Sequence, residues 1–181
     1  MYLAKKTYVK NWDFEKDKAK KWSVSVKRGG KVVKDIKPER VEYIVESVGY
    51  WRKANAIHKW FVENCVRDTD WQGSGVEVSR TDLEVLLGLC ERVLAGSELV
   101  EGMIKNGSRT SGKGWEDIME KGKYIKDPSI AIELLPTTSG FFFGSTDYNE
   151  YYYQDIEETA KMIKGLLAEP DNGEFEYSAS W

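Results

Sequence analysis

His58, the only histidine of the chain, lies in an aromatic segment that also offers an amide and a guanidinium. The segment runs Tyr50-Trp51-Arg52-Lys53-Ala54-Asn55-Ala56-Ile57-His58-Lys59-Trp60-Phe61-Val62-Glu63-Asn64. Read as helix, it places Trp51, Asn55 and His58 on one broad arc. Burying an amide or an imidazole without a partner costs about 1–3 kcal/mol each. Both groups therefore need hydrogen bonds, supplied either by a core network or by a ligand held beside Trp51. A second segment, Gly140 to Asp155, brackets three phenylalanines with glycine and then presents Ser145, Thr146, Tyr148 and Tyr152. The two hydroxyls precede an expected helix start at Asp147, with Glu150 three residues on. Backbone N–H groups there would suit an anion. The same residues also make ordinary caps, and Asp147 as cap would set a carboxylate where the anion would sit.

Other chemistry is thin. One histidine and two cysteines on apolar helix faces do not assemble the usual zinc ligand sets, so neither a metal nor a cofactor is expected. Cys65 is seven residues from His58, about 10 Å along a helix, too far for a nucleophile–base pair. The run Gly107-Ser108-Arg109-Thr110-Ser111-Gly112-Lys113-Gly114 matches a P-loop until Gly114, which replaces the Ser/Thr that holds Mg²⁺. The residues before it do not read as a buried strand, so it is taken as a flexible basic loop. No residue is assigned a catalytic role.

The elements that must position these residues follow from pattern. The 181 residues suit one domain, with 41% hydrophobic, 31% charged and 13% aromatic residues, including seven Trp. No apolar run approaches a membrane span, the N-terminus lacks a signal-like apolar region, and two apolar-face thiols suit a reducing compartment; cytosol is expected. Residues 2–9 read as a strand and residues 22–36 as a hairpin turning at Gly29-Gly30, together a basic N-terminal hairpin unit over residues 1–37. The first 40 residues carry 13 Lys/Arg against five Asp/Glu. That charge is read as a solvated hairpin beside an acidic body, and nucleic acid is not an expected partner. Pro38 opens a helix expected to run to Cys65. Val76–Val78 is a short strand, and Ser79 with Asp82 a capping box for a helix burying Leu83, Leu86, Leu87, Cys90 and Leu94. Residues 96–127 lack a sustained period and read as an insertion with a mobile loop. Ile130–Leu135 is helix or strand, Phe141–Phe143 a brief extended segment, and Asp147 to Ala168 a helix. Residues 169–181 read as a disordered tail. The whole is α+β: two long helices and a shorter one on a small antiparallel sheet, forming one domain over residues 1–168.

The Tyr50–Val62 segment and Glu133-Leu134-Leu135-Pro136-Thr137-Thr138-Ser139-Gly140-Phe141-Phe142-Phe143-Gly144-Ser145-Thr146 resemble an uncharacterised family of small bacteriophage and prophage proteins. The resemblance implies an accessory protein acting in the cytoplasm of the infected bacterium. It implies no activity. Joined to the residue chemistry, it leads to an expected pocket of Trp51, Arg52, Asn55, His58, Ser145, Thr146, Tyr148 and Tyr152. That pocket would sequester a small, nucleotide-like host signal, since rings stack on a base while amide and imidazole hydrogen-bond it. Two other readings stand beside it: a module docking and inhibiting a host protein through Trp60, Tyr151 and Tyr153, and a small enzyme with His58 as general base. The oligomeric state is not legible.

Overall fold

The computed structural model describes residues 1–112, 114–140 and 144–180. The expected extended segment Phe141–Phe143 and the loop residue Lys113 lie outside the described residues, as does Trp181. The fold is α+β. Four antiparallel strands form the main sheet in the order β4-β1-β8-β5, with β1 Tyr2–Tyr8, β4 Tyr43–Tyr50, β5 Val76–Val78 and β8 Glu174–Ser178.

Alternation on these strands divides the sheet into two faces. Leu3 and Tyr177 are opposite one another and fully buried, as is Val78 on β5, across from Phe175. Helices cover this face. α1 (Asn55–Cys65) packs on it through Phe61, whose ring is stacked on Tyr177 at 4.2 Å and 12°. α4 (Glu150–Ala168) crosses β4 at Gly49, where a Cβ would come within 2.6 Å of Met162 Sδ. α2 (Arg80–Gly96) packs beside α4, burying Leu83, Leu86, Cys90 and Val93. Its start is the capping box read from sequence: Asp82 N donates to Ser79 Oγ at 3.0 Å, and Ser79 N donates to Asp82 Oδ2 at 2.8 Å. The six-residue α3 (Ser129–Leu134) settles the Ile130–Leu135 alternative as helix.

Four expectations are corrected. The helix from Pro38 to Cys65 is a 3-10 turn at Pro38–Arg40, then β4, then α1. Val41 to Tyr50 is rich in β-branched and aromatic residues, and pairing with β1 outweighs a helical arc that the same residues also satisfy. The basic hairpin over residues 1–37 shrinks to β2 (Lys27–Arg28) and β3 (Lys31–Val32), because β1 leaves it to join the main sheet. Gly29 and Gly30 turn it with φ of 56° and 78°. Residues 96–127, expected to lack regular structure, instead hold β6 (Leu99–Ser111) and β7 (Gly114–Ile125), which form one long hairpin. Charged and polar residues line most of it, and its ladder supplies the order that its periodicity does not show. The tail is no tail either. β8 is a central strand bonded to β1 and β5, and Ala179 N donates to Gly73 O at 3.0 Å.

No described helix is long and apolar enough to cross a membrane.

Candidate functional site

The two aromatic segments meet at Asn55. Its Nδ2 donates to the Ser145 carbonyl at 2.9 Å, and its Oδ1 accepts from Thr138 N at 3.2 Å. Asn55 is thus buried with both ends of its amide satisfied, in the first turn of α1, where it ties that helix to the loop ahead of α4. A cleft of about 650 Å³ opens beside this contact. One wall is the β4–α1 turn with Arg52 and Lys53, a second is the hairpin at Lys105, Asn106 and Gly107, and α4 supplies Tyr151, Tyr152, Asp155 and Glu158. The β6–β7 register shifts between Lys105 and Ser108. This bulge breaks the ladder where the hairpin passes the cleft. Lys53 holds φ at 65°, uncommon outside glycine.

Charge is divided across the cleft. Arg52 and Lys53 are exposed and make no ion pair among the described residues, whereas Lys105 pairs with Asp117 at 2.6 Å. On α4, burial and then the neighbouring Glu158 push the Asp155 carboxyl up to about 7, well above the usual carboxylate range. Its side chain has no hydrogen-bond partner among the described residues. At the head of α4 the cap is Asn149, not Asp147: Asn149 Oδ1 accepts from Tyr151 N at 3.0 Å and Tyr152 N at 3.3 Å. Asp147 is held off the helix by Ser145, whose Oγ donates to Asp147 Oδ2 at 2.6 Å. The other end of the Asn149 amide is unsatisfied. Its Nδ2 is buried without a partner among the described residues, at a residue that lines the cleft. A buried donor left unpaired costs about 1–3 kcal/mol.

Of the sequence-derived candidates, Arg52, Asn55, Ser145 and Tyr152 line this cleft. Tyr152 is buried, its hydroxyl donating to Leu135 O at 2.9 Å. Thr146 and Tyr148 lie on the other side of Asn149, in a groove of about 540 Å³ against the hairpin. Tyr148 still meets Tyr152 edge to face at 4.9 Å, though it precedes the helix rather than belonging to it. Trp51 and His58 are elsewhere. Trp51, the residue after β4, lies in the core, its indole N–H donating to Thr159 Oγ1 at 2.8 Å. His58 is buried with Nδ1 2.7 Å from Tyr177 Oη. Burial and then the positive amino group of Met1 hold its imidazole down to about 4, so it is neutral at ordinary pH. A general base at His58 would have to reach the cleft, and its ring instead faces the sheet. Trp60, one of the rings expected to dock a host protein, is buried edge-on against Phe61, whereas Tyr151 is exposed and donates to Glu120 Oε1 at 2.8 Å. Burial pushes both Cys65 and Cys90 up to about 12, which leaves them as thiols.

Lys53, Asn149 and Asp155 were not singled out from sequence. Asn149 had a signal, being a favoured cap residue directly before an acidic first turn. Asp155 had a fainter one, a carboxylate beside the apolar arc of Tyr152, Ile156 and Ile163. Among the described residues no group of three or more His, Cys, Asp or Glu could hold a metal ion. Comparison with protein-family models, with curated proteins and with solved structures finds no match to this chain.

Proposed function

We propose that this protein binds, without turnover, a small nucleotide-like anion in the cleft between the β4–α1 turn, the β6–β7 hairpin and α4. The observation that carries the reading is the placement of two exposed cations, Arg52 and Lys53, with no ion-pair partner among the described residues, on one wall of this cleft. Phosphate oxygens would neutralise both. The opposite wall asks for donors, because Asp155 and Glu158 can accept from ribose hydroxyls or an exocyclic amine. A nucleotide has both halves, and about 650 Å³ lies within the usual range of ligand sites. In the phage setting that the two segments suggest, holding such a molecule would withdraw a host signal from its receptor.

Thermal denaturation against a panel of mono-, di- and cyclic nucleotides tests the reading. A bound ligand at 100-fold excess over its Kd stabilises by about 2.7 kcal/mol, a rise of several degrees. Arg52→Ala with Lys53→Ala should abolish the rise while leaving the unliganded Tm unchanged, since both side chains are exposed. A rise that survives the double variant places the ligand elsewhere. No rise with any phosphate-bearing ligand rejects the reading.

A further inference from the structure

We propose that residues 10–40, together with the tyrosine-lined half of the open sheet face, bind single-stranded nucleic acid. None of these residues lines the cleft described above, and the inference is independent of it.

The segment leaves the sheet after β1 and returns at β4, and none of its residues is buried. It holds 11 Lys/Arg against five Asp/Glu. Among the described residues only Lys10 forms an ion pair, with Glu42. Apart from Lys10, these cations therefore have no carboxylate within ion-pair distance among the described residues, and their field is open to an external polyanion. Rings are interleaved with the cations. Trp12, Phe14 and Trp22 are all exposed, Phe14 by 79%. Trp12 and Phe14 stack on each other at 6.1 Å and 14°, with Lys10 Nζ 5.5 Å from the Trp12 ring. They are presented on an ordered turn, since Asn11 Nδ2 donates to Trp22 O and Trp22 N donates to Asn11 Oδ1, both at 2.8 Å.

The sheet continues the same chemistry. The helices cover one face, and on the other Tyr2 lies beside Tyr50 at 5.3 Å and Tyr8 beside Tyr43 at 6.1 Å, all four exposed. Lys6 Nζ stands 4.2 Å from the Tyr43 ring. The two tyrosine pairs sit at opposite ends of β1, roughly 20 Å apart along the strand. Carboxylates of Glu77, Glu174 and Glu176 occupy the β5/β8 half of that face and bound the track on one side. An acidic protein would answer the positive charge but leave the rings without stacking partners. A duplex hides its base faces. A single strand offers phosphates and bases together, the combination recognised by basic grooves with aromatic platforms.

Fluorescence anisotropy with a labelled mixed-sequence oligonucleotide, as single-stranded DNA, single-stranded RNA and duplex, tests the assignment. At least one single strand should bind at least about tenfold more tightly than the duplex, and its affinity should fall steeply with salt. Replacing Trp12, Phe14 and Trp22 together by Ala should weaken it at least about tenfold with Tm unchanged, because these rings lie outside the core. Replacing Lys18, Lys20 and Lys21 by Ala should reduce the salt slope. No binding of either single strand at low salt overturns the proposal. So does equal binding of the duplex or of a poly-glutamate peptide, or an affinity indifferent to the three rings.

Discussion

The imidazole Nδ1 of His58 and the hydroxyl of Tyr177 lie 2.7 Å apart, joining α1 to a strand 119 residues further along the chain. Phe61, one turn along α1 from His58, stacks on the same tyrosine ring. The most chemically suggestive side chain in the sequence is thereby a strut between helix and sheet.

Tyr177→Phe should cost about 1–3 kcal/mol, the range for leaving a buried polar group without its partner. His58→Ala also empties ring volume and should cost about 2–5 kcal/mol. Urea unfolding measures both. Under conditions where each variant remains folded, ligand affinity at the cleft should be unchanged. A His58→Ala protein that keeps its stability and loses binding would return the histidine to the site.

Buried His58 and half-buried Asp155 should oppose each other in the pH dependence of stability. His58 is lowered to about 4 from an ordinary value of 6.5, so the stability tied to its neutral form is present above 6.5 and is lost as pH falls toward 4. Asp155 is raised to about 7 from 3.8, so its contribution is full below 3.8 and is lost as pH rises through 7. Asp155→Asn should raise Tm more at pH 8 than at pH 5. It should also steepen the loss of stability on acidification below 6.5, by removing the opposing trend. Equal gains at both pH values would mean that Asp155 titrates as an ordinary carboxylate.

Asn55 is the clamp between the two aromatic segments. Asn55→Ala should destabilise by about 1–3 kcal/mol and speed hydrogen exchange at the Thr138 amide, which loses its acceptor. Asn55→Asp keeps that acceptor and loses only the donor to Ser145, so Thr138 should remain protected. Exchange at Thr138 unaltered in the alanine variant would mean that the loop is held by other contacts.

Truncation after Glu169 should abolish cooperative folding. It removes β8, with Phe175 and Tyr177 from the core and a hydrogen-bonded partner from both β1 and β5. Near-UV circular dichroism and a thermal melt report the loss. A truncated protein with the full-length Tm would restore the disordered tail expected from composition.

Features closed within a few residues were legible in the chain alone. The Ser79–Asp82 box, the Gly29–Gly30 turn, the alternation of β1 and the apolar arcs of α2 and α4 all rest on bonds or spacings spanning one turn or one strand. The two aromatic segments were also legible as partners, since each held polar groups needing hydrogen bonds that its own helix could not supply, and Asn55 makes them. Partners distant in sequence decided the rest. Residues 43–50 satisfy a helical arc and a strand pattern equally well, and β1 chooses between them by offering an unpaired edge. Glu174 to Ser178 look like solvated tail until Tyr2 to Lys6 and Val76 to Val78 take both of its edges. The long hairpin has little apolar period to read, because its order comes from cross-strand backbone bonds and not from a buried face. His58 and Trp51 shared an arc only while residue 51 was helical. With β4 ending at Tyr50 and α1 starting only at Asn55, Trp51 is not helical; Tyr177 and Thr159 supply the partners, and the cleft forms instead around Arg52, Lys53, Asn149 and Asp155. Backbone pairing across long loops is invisible to local periodicity, and here it determined which polar residues face the core and which face the cleft.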